Sequence, residues 1–387
     1  MRFQVYCFAF ILSFASTMFV RGIFFLTRYT FGMSDGQNLI LALVSGLTYV
    51  VGAQLSHYAG EKFSAKKVMM FLISVQIISP SLCFFYNSFP SLCFLFPLFA
   101  MANGMTWPFA ESYASAGLDE KESSSSIGIY NISWSSAVPA GVWVSGWIIS
   151  ASGKNILMTV ALTVFVAMLV AIFLPKRIPH LTVESGETPP NRESETCPDA
   201  KAMMLSGRWS MCFSYALIQL LSSLLPGRFY ELGISVGVAG FVAGFVDMAR
   251  ILAFIWMSQT HCWHGKRSIL FICSPVLSLG FVLCMFSDKI WMILAGEMIF
   301  GIAAALSYYA ALYYAMVIGN AQVGAGGSHE TVIGAGFLAG PLAGIGANQI
   351  ALTLGMTLIS GPVIAIAVMS AIFIPMSIKS LCVNRKA

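Results

Sequence analysis

The sequence predicts an all-α membrane protein, twelve transmembrane helices in two six-helix bundles, and three observations carry that prediction. Twelve apolar stretches are each long enough to cross a bilayer, one polar run separates the sixth from the seventh, and the positive residues gather on one side of the connecting loops. A hydrocarbon core about 30 Å thick takes roughly 20 residues of helix. Residues 3–28, 37–56, 68–87, 91–114, 126–150 and 155–175 reach that length in order, and 209–226, 233–257, 268–287, 290–317, 330–352 and 355–378 repeat the count.

Composition excludes a soluble globular chain, because 58% of residues are hydrophobic and only 10% are charged. Once the apolar stretches are set aside, the 387 residues leave no room for a separate soluble enzyme domain. The first stretch is too long for the apolar region of a cleaved signal peptide and is expected to stay as a span. Nine scattered cysteines without a C-x-x-C pair give no disulfide framework.

Short cytoplasmic loops are enriched in Lys and Arg. With the N-terminus inside, 15 of the 21 basic residues fall on the cytoplasmic side, four fall outside (Arg28, Lys154, Arg228, Lys289) and two lie within spans (Arg21, Arg250). Both termini are therefore expected in the cytoplasm, with the cell membrane as the expected location. The net charge of +5 is accounted for by those loops, so no nucleic-acid partner is expected.

The run from Lys176 to Ser206 carries five acidic residues and four prolines and reads as a cytoplasmic linker. It divides the chain into an N-terminal bundle, 1–175, a linker, 176–206, and a C-terminal bundle, 207–387. The halves echo one another. Ser133, Ala137, Gly141 and Ser145 follow at four-residue steps in the fifth span, as do Gly336, Gly340 and Gly344 in the eleventh. Small residues at this spacing let helix backbones approach closely in lipid. Ser56-His57 before Lys66-Lys67 is matched by Thr260-His261 before Lys266-Arg267.

On the six-plus-six layout and the Gly336-Ala339-Gly340-Pro341-Gly344 segment, the chain resembles the major facilitator superfamily of transporters. The segment looks like that family's glycine-proline motif, best known from the fifth span and cleaner here in the eleventh. The family's loop between the second and third spans is represented by Gly52, Gly60, Lys66 and Lys67, but Ser56 stands where an aspartate is usual. The resemblance implies a substrate site near the bilayer midplane, lined by the first, fourth, seventh and tenth spans, and alternating access by rocking of the bundles.

Ionisable side chains inside a span are costly and mark functional candidates. Asp247 and Arg250 stand at i, i+3 in the eighth span, hence on one face; they read either as a structural ion pair or as a pair for gating, proton coupling or substrate recognition. Glu297 in the tenth span leads a stripe through Gly301, Ala305, Tyr309 and Tyr313. The resemblance turns that stripe to the central cavity, where a carboxylate removed from water would hold a proton more readily; the alternative is a packing role. Asn103, Trp107 and Glu111 share a face of the fourth span, with Glu111 near enough to the cytoplasmic end to be solvated there.

Arg21, in the outer half of the first span, meets an anionic substrate or an acidic partner such as Glu297, or snorkels outwards. Gln219, with Ser222 and Ser223, offers hydrogen bonds in the seventh span to substrate or to a neighbouring helix. His329 and Glu330 open the eleventh span as a gate or proton exit, or as an ordinary helix-start carboxylate. The glycine run 324–327 lacks the Lys-Ser/Thr ending of a phosphate loop, and His261, Cys262 and His264 lack a fourth metal ligand nearby. No cofactor or metal is expected.

The expected function is secondary active transport of a small organic solute, coupled to a proton through groups such as Asp247, Glu297 or His329, by a monomer in the bilayer. The competing readings are an uncoupled facilitator, a polytopic membrane enzyme, which would gather its catalytic groups at one site, and a receptor without flux.

Overall fold

The computed structural model describes residues 2–115, 120–176, 200–260, 262–319, 323–357 and 360–382. Among them the secondary structure is helical, without strands. In chain order the helices are α1 (Arg2–Val20), α2 (Gly22–Tyr29), α3 (Asp35–Lys62), α4 (Ala65–Phe85), α5 (Phe89–Ser115), α6 (Glu120–Ser152) and α7 (Ile156–Ala171) in the first half. The second half holds α8 (Ala200–Glu231), α9 (Val236–Ala243), α10 (Phe245–Gln259), α11 (Arg267–Phe286), α12 (Ile290–Gly319), α13 (Val323–Thr353) and α14 (Ser360–Cys382). The first span is broken at Arg21 into α1 and α2, and the eighth at Gly244 into α9 and α10, so fourteen helices make twelve spans. Gly153, with φ of 56°, turns the chain between the fifth and sixth.

The surface is inverted relative to a water-soluble protein. Phe71, Phe94, Trp147 and Phe173 are among many large apolar side chains that point outwards, as a lipid-facing surface requires. Inside, apolar packing is supplemented by buried hydrogen bonds. Ser206, Ser210, Ser274 and Ser377 join α8, α11 and α14 through hydroxyl contacts of 2.9–3.0 Å, and Gln76 donates to Thr106 at 3.0 Å between α4 and α5. In hydrocarbon such polar side chains bond across helices because water offers no alternative.

The two small-residue faces occupy equivalent places. In α13, Gly336, Gly340 and Gly344 lie against Cys212, Ala216 and Leu220 of α8, with the Ala216 carbonyl oxygen where a side chain on Gly340 would begin. Pro341 is buried beside them. In α6, Gly141 lies against Phe14 and Thr17 of α1. The fifth span thus packs on the first as the eleventh packs on the seventh.

Contacts between the halves join α3 to α13 and α8, α2 to α8 and α9, and α6 to α9 and α10. Those of α2, α6, α9 and α10 lie in the half of the molecule away from both termini, here termed the distal side, while α3 and α13 also touch nearer the termini, at Val50 and Gly334. Gly146 of α6 and Gly240 of α9 approach so closely that a Cβ on either would clash with the other backbone. Trp143 Nε1 donates to the Phe241 carbonyl at 2.9 Å, Tyr29 Oη to the Ile234 carbonyl at 2.8 Å and Asn38 Nδ2 to the Ser223 carbonyl at 3.4 Å. Together these close the distal side.

Two boundaries differ from expectation. Residues 200–206, assigned to the linker from sequence, form the first turns of α8, because Ala200, Ala202 and Met203 supply a face that is buried. The glycine run 324–327 lies within α13, which begins seven residues before the expected span. The rest of the expected linker, 177–199, and the C-terminal 383–387 lie outside the described residues.

Candidate functional site

Two polar clusters lie where the halves meet, the first buried and the second half-buried. The first is built on the two broken spans. Arg21, at the break between α1 and α2, forms an ion pair with Asp247 of α10, and its Nη2 donates to the Ala243 carbonyl of α9 at 3.3 Å. The other Asp247 oxygen accepts from Arg250 Nη1 at 3.1 Å, one turn along the same helix, and Arg250 Nη2 reaches Tyr215 Oη of α8 at 3.4 Å. One carboxylate therefore holds two guanidinium groups, one from each half. Burying charges is tolerable only when they are paired and hydrogen-bonded, and Asp247 and Arg250 are 3% and 8% exposed.

Glu297 of α12 completes this cluster. It is fully buried, at 0% exposure, and neither carboxyl oxygen makes a hydrogen bond of regular geometry. The break at Gly244 leaves the first amides of α10 without intrahelical acceptors, and those of Phe245 and Val246 face the carboxyl group, with the Arg21 charge also acting on it. Arg21 and Glu297 border a small void of about 10 Å³ together with Phe25, Ser222 and Ala243, room for about one water molecule.

The second cluster lies nearer the termini. Tyr49 Oη of α3 donates to Glu330 Oε2 of α13 at 3.2 Å, across the halves. Glu111 of α5 feels the charge of Glu330. Tyr130 of α6 is 2% exposed and feels the charge of both carboxyl groups, and its hydroxyl has no hydrogen-bond partner. Phe337 stands edge-on to Tyr49 at 5.5 Å and to Tyr215 at 5.4 Å, so the two clusters are continuous through Tyr215.

The residues singled out in the sequence divide between these clusters and other places. Arg21, Asp247, Arg250 and Glu297 come together, with Asp247 as the ion-pair partner of Arg21. Glu111 and Glu330 come together in the second cluster. His329 lies under Tyr308 with ring centroids 4.8 Å apart, and both its ring nitrogens lack a hydrogen bond. Asn103 accepts from Ser16 at 3.0 Å within the first half, while Trp107 is half-buried and Gln219 buried in their helices. Along the Glu297 stripe, Gly301 packs on Val246 and Ala249 of α10. Tyr309 and Tyr313 pack on Trp263 of the loop before α11, at 5.5 and 5.1 Å; Tyr308, one position away, faces the second cluster.

Comparison with known proteins settles the family. The model of the Major Facilitator Superfamily matches residues 6–196. The chain belongs to the major facilitator superfamily. It is a multi-pass membrane transporter rather than an enzyme. Among solved structures, the nucleoside transporter NupG superposes with a TM-score of 0.71 at 14% identity, over 97% of this chain and 98% of that one. A bacterial homologue of the human lysosomal transporter Spinster, in an inward-facing and occupied conformation, superposes with a TM-score of 0.68 at 13% identity, over 98% and 93%. No curated protein sequence matches this superfamily member significantly.

The phenols of Tyr49, Tyr130, Tyr215 and Tyr308 escaped sequence reasoning. A signal existed: four tyrosines sit deep within apolar spans, where a hydroxyl needs a polar partner.

Proposed function

We propose that this transporter is a proton-coupled secondary carrier that moves a small organic solute by alternating access, as a monomer in the cell membrane with both termini in the cytoplasm. One observation carries the coupling: Glu297 is a fully buried carboxyl group without a regular hydrogen bond, beside an arginine already paired with another carboxylate. An ionised carboxylate so placed is far more expensive than its protonated form. Proton loss from Glu297 then places a second negative charge of the C-terminal half beside Arg21, adding to the hold that Asp247 of the same half has on this arginine of the other. Proton occupancy and distal closure are linked through that arginine.

Alternating access is supported by the closed distal side and by the break of the first and eighth spans beside the charges, a pattern expected of carriers that bind near the bilayer midplane. The basic loops support the cytoplasmic termini. An organic solute suits the phenols and aromatic rings between the clusters, and the structural likeness to a nucleoside transporter favours the same class.

The test begins with a thermal-stability screen of solutes in detergent, since a ligand of the folded state raises its stability. Uptake of the best hit into proteoliposomes is then measured with and without an imposed pH gradient. The gradient should drive accumulation by the wild type and fail to do so in Glu297→Gln. Accumulation indifferent to the gradient, with Glu297→Gln unchanged, would mean that the carrier is uncoupled or coupled elsewhere.

A further inference from the structure

The break of the eighth span interrupts the hydrogen-bond ladder between α9 and α10. In an unbroken helix the Phe241 carbonyl would accept from the Phe245 amide, four residues on, and the Ala243 carbonyl from the Asp247 amide. Here both carbonyls are met by donors of the other half. Phe241 accepts from Trp143 Nε1 of α6 at 2.9 Å, and Ala243 accepts from Arg21 Nη2 at 3.3 Å; within the turn, the Gly244 amide also reaches the Phe241 carbonyl, at 3.3 Å. The indole of Trp143 lies over the break itself, with ring centroids 5.5 Å from Phe241 and 6.4 Å from Phe245. A Cβ on Gly244 would fall on Nε1, so glycine at this position is what lets the indole reach the carbonyl.

The donor that Trp143 replaces is the Phe245 amide, and that amide, with its neighbour at Val246, faces the Glu297 carboxyl group. α12 packs at backbone distance here, since a Cβ on Gly301, one turn on from Glu297, would fall on the Val246 carbonyl oxygen. Arg21, Asp247 and Cys284 of α11 are the ionisable groups that act across the same site. Resting on the proton-coupled reading above, we infer that Trp143 is a positioning residue for Glu297: by holding the Phe241 carbonyl it keeps the break open and leaves the Phe245 amide to the carboxyl group. When the distal side opens, Trp143 leaves with α6, the Phe241 carbonyl takes back the Phe245 amide, and Glu297 loses a donor. A donor to a carboxylate favours its ionised form. Glu297 therefore takes up its proton with the distal side open and releases it with that side closed.

The experiment uses the full chain in detergent, without solute, and reads the infrared C=O stretch of the protonated Glu297 carboxyl group, identified as the band that Glu297→Gln lacks. A carboxyl group that accepts fewer hydrogen bonds absorbs at higher wavenumber. Trp143→Phe, which keeps an aromatic ring and removes the N–H, should move the band upwards. Gly146→Ala keeps Trp143 but wedges a Cβ against Gly240 in the seam; it should move the band the same way and stands as the test if Trp143→Phe does not fold. In proteoliposomes, the ratio of gradient-driven uptake to counterflow should fall about tenfold in Trp143→Phe, the worth of one hydrogen bond to a charged group.

A band at the wild-type position in Trp143→Phe, or in Gly146→Ala should the first not fold, would overturn the role given to Trp143, as would an unchanged ratio of uptake to counterflow. If the band stays in place while Glu297→Gln loses gradient-driven accumulation, the link through Trp143 fails and the proton reading stands. If the band moves while Glu297→Gln accumulates solute as the wild type does, the link stands and the proton reading fails.

Discussion

Asp247→Asn is the sharpest perturbation of the bond between the halves. The Asp247 side chain is 5% exposed, and it serves Arg250 at 10% and Arg21 at 17%. Removing one member of a buried pair costs about 3–5 kcal/mol, chiefly because a charge is left unpaired. Only part of that bears on the movement of the halves. The contact with Arg250 lies within α10 and is present in any arrangement, whereas the contact with Arg21 requires the distal side to be closed. Assigning half of the lower figure to Arg21 gives about 1.5 kcal/mol, or roughly a tenfold shift of the closed–open equilibrium.

Asn38 reports that equilibrium, because it is fully buried in the seam where its amide reaches the Ser223 carbonyl. With Asn38→Cys as background, Asp247→Asn should raise the rate of labelling by a hydrophilic maleimide about tenfold. Adding Arg21→Gln should raise it little further, since both changes remove the same contact. Unchanged labelling in a folded variant, or additive effects of the two substitutions, would refute the role given to the pair.

Other consequences are simpler to measure. Gly340→Ala places a Cβ against the Ala216 carbonyl, whereas Gly346→Ala, further along the same helix, meets nothing within 4 Å. The first should lower the melting temperature in detergent by an overpacking cost of about 1–3 kcal/mol, and the second should leave it unchanged or raise it slightly. Trp263→Ala removes a buried ring that donates to the Met257 carbonyl at 3.1 Å and carries Tyr309 and Tyr313. Its loss should cost about 3–5 kcal/mol and speed trypsin cleavage at Lys266 or Arg267; protection equal to wild type would contradict the anchoring of that loop. Ser210→Ala, which removes the hydroxyl shared by Ser274 and Ser377, should destabilise by only about 0.6 kcal/mol, the usual worth of such a bond in a membrane bundle.

The fold was legible because crossing a bilayer leaves a length signature, and twelve such lengths with one polar interruption are hard to arrange otherwise. The glycine faces of α6 and α13 were legible for a related reason, since close approach in lipid selects small residues at four-residue steps. The rotation of a helix was not. α12 is apolar on all sides because both lipid and neighbouring helices are apolar, so periodicity did not distinguish Tyr309 and Tyr313 from Tyr308. A step of one residue turns a side chain by about 100°, enough to exchange the central cluster for the Trp263 loop.

Partners across the halves were equally hidden. Arg21 and Asp247 are separated by 226 positions, and either Asp247 or Glu297 was a plausible counter-charge. Their arrangement depends on the breaks at Arg21 and Gly244, which interrupt uniformly apolar runs without a proline. Glu111 looked like a solvated end residue because the acid that meets it, Glu330, belongs to the other half.

Coupling through Glu297 is tested most directly by separating movement from coupling in one variant. Proteoliposomes containing wild type or Glu297→Gln are given the same solute, first in counterflow without a pH gradient and then in net uptake driven by one. The wild type should do both. Glu297→Gln, which retains a neutral side chain of the same shape, should exchange solute in counterflow but fail to accumulate it under the gradient. Gradient-driven accumulation by Glu297→Gln at the wild-type level would contradict the assignment of the proton to this carboxyl group.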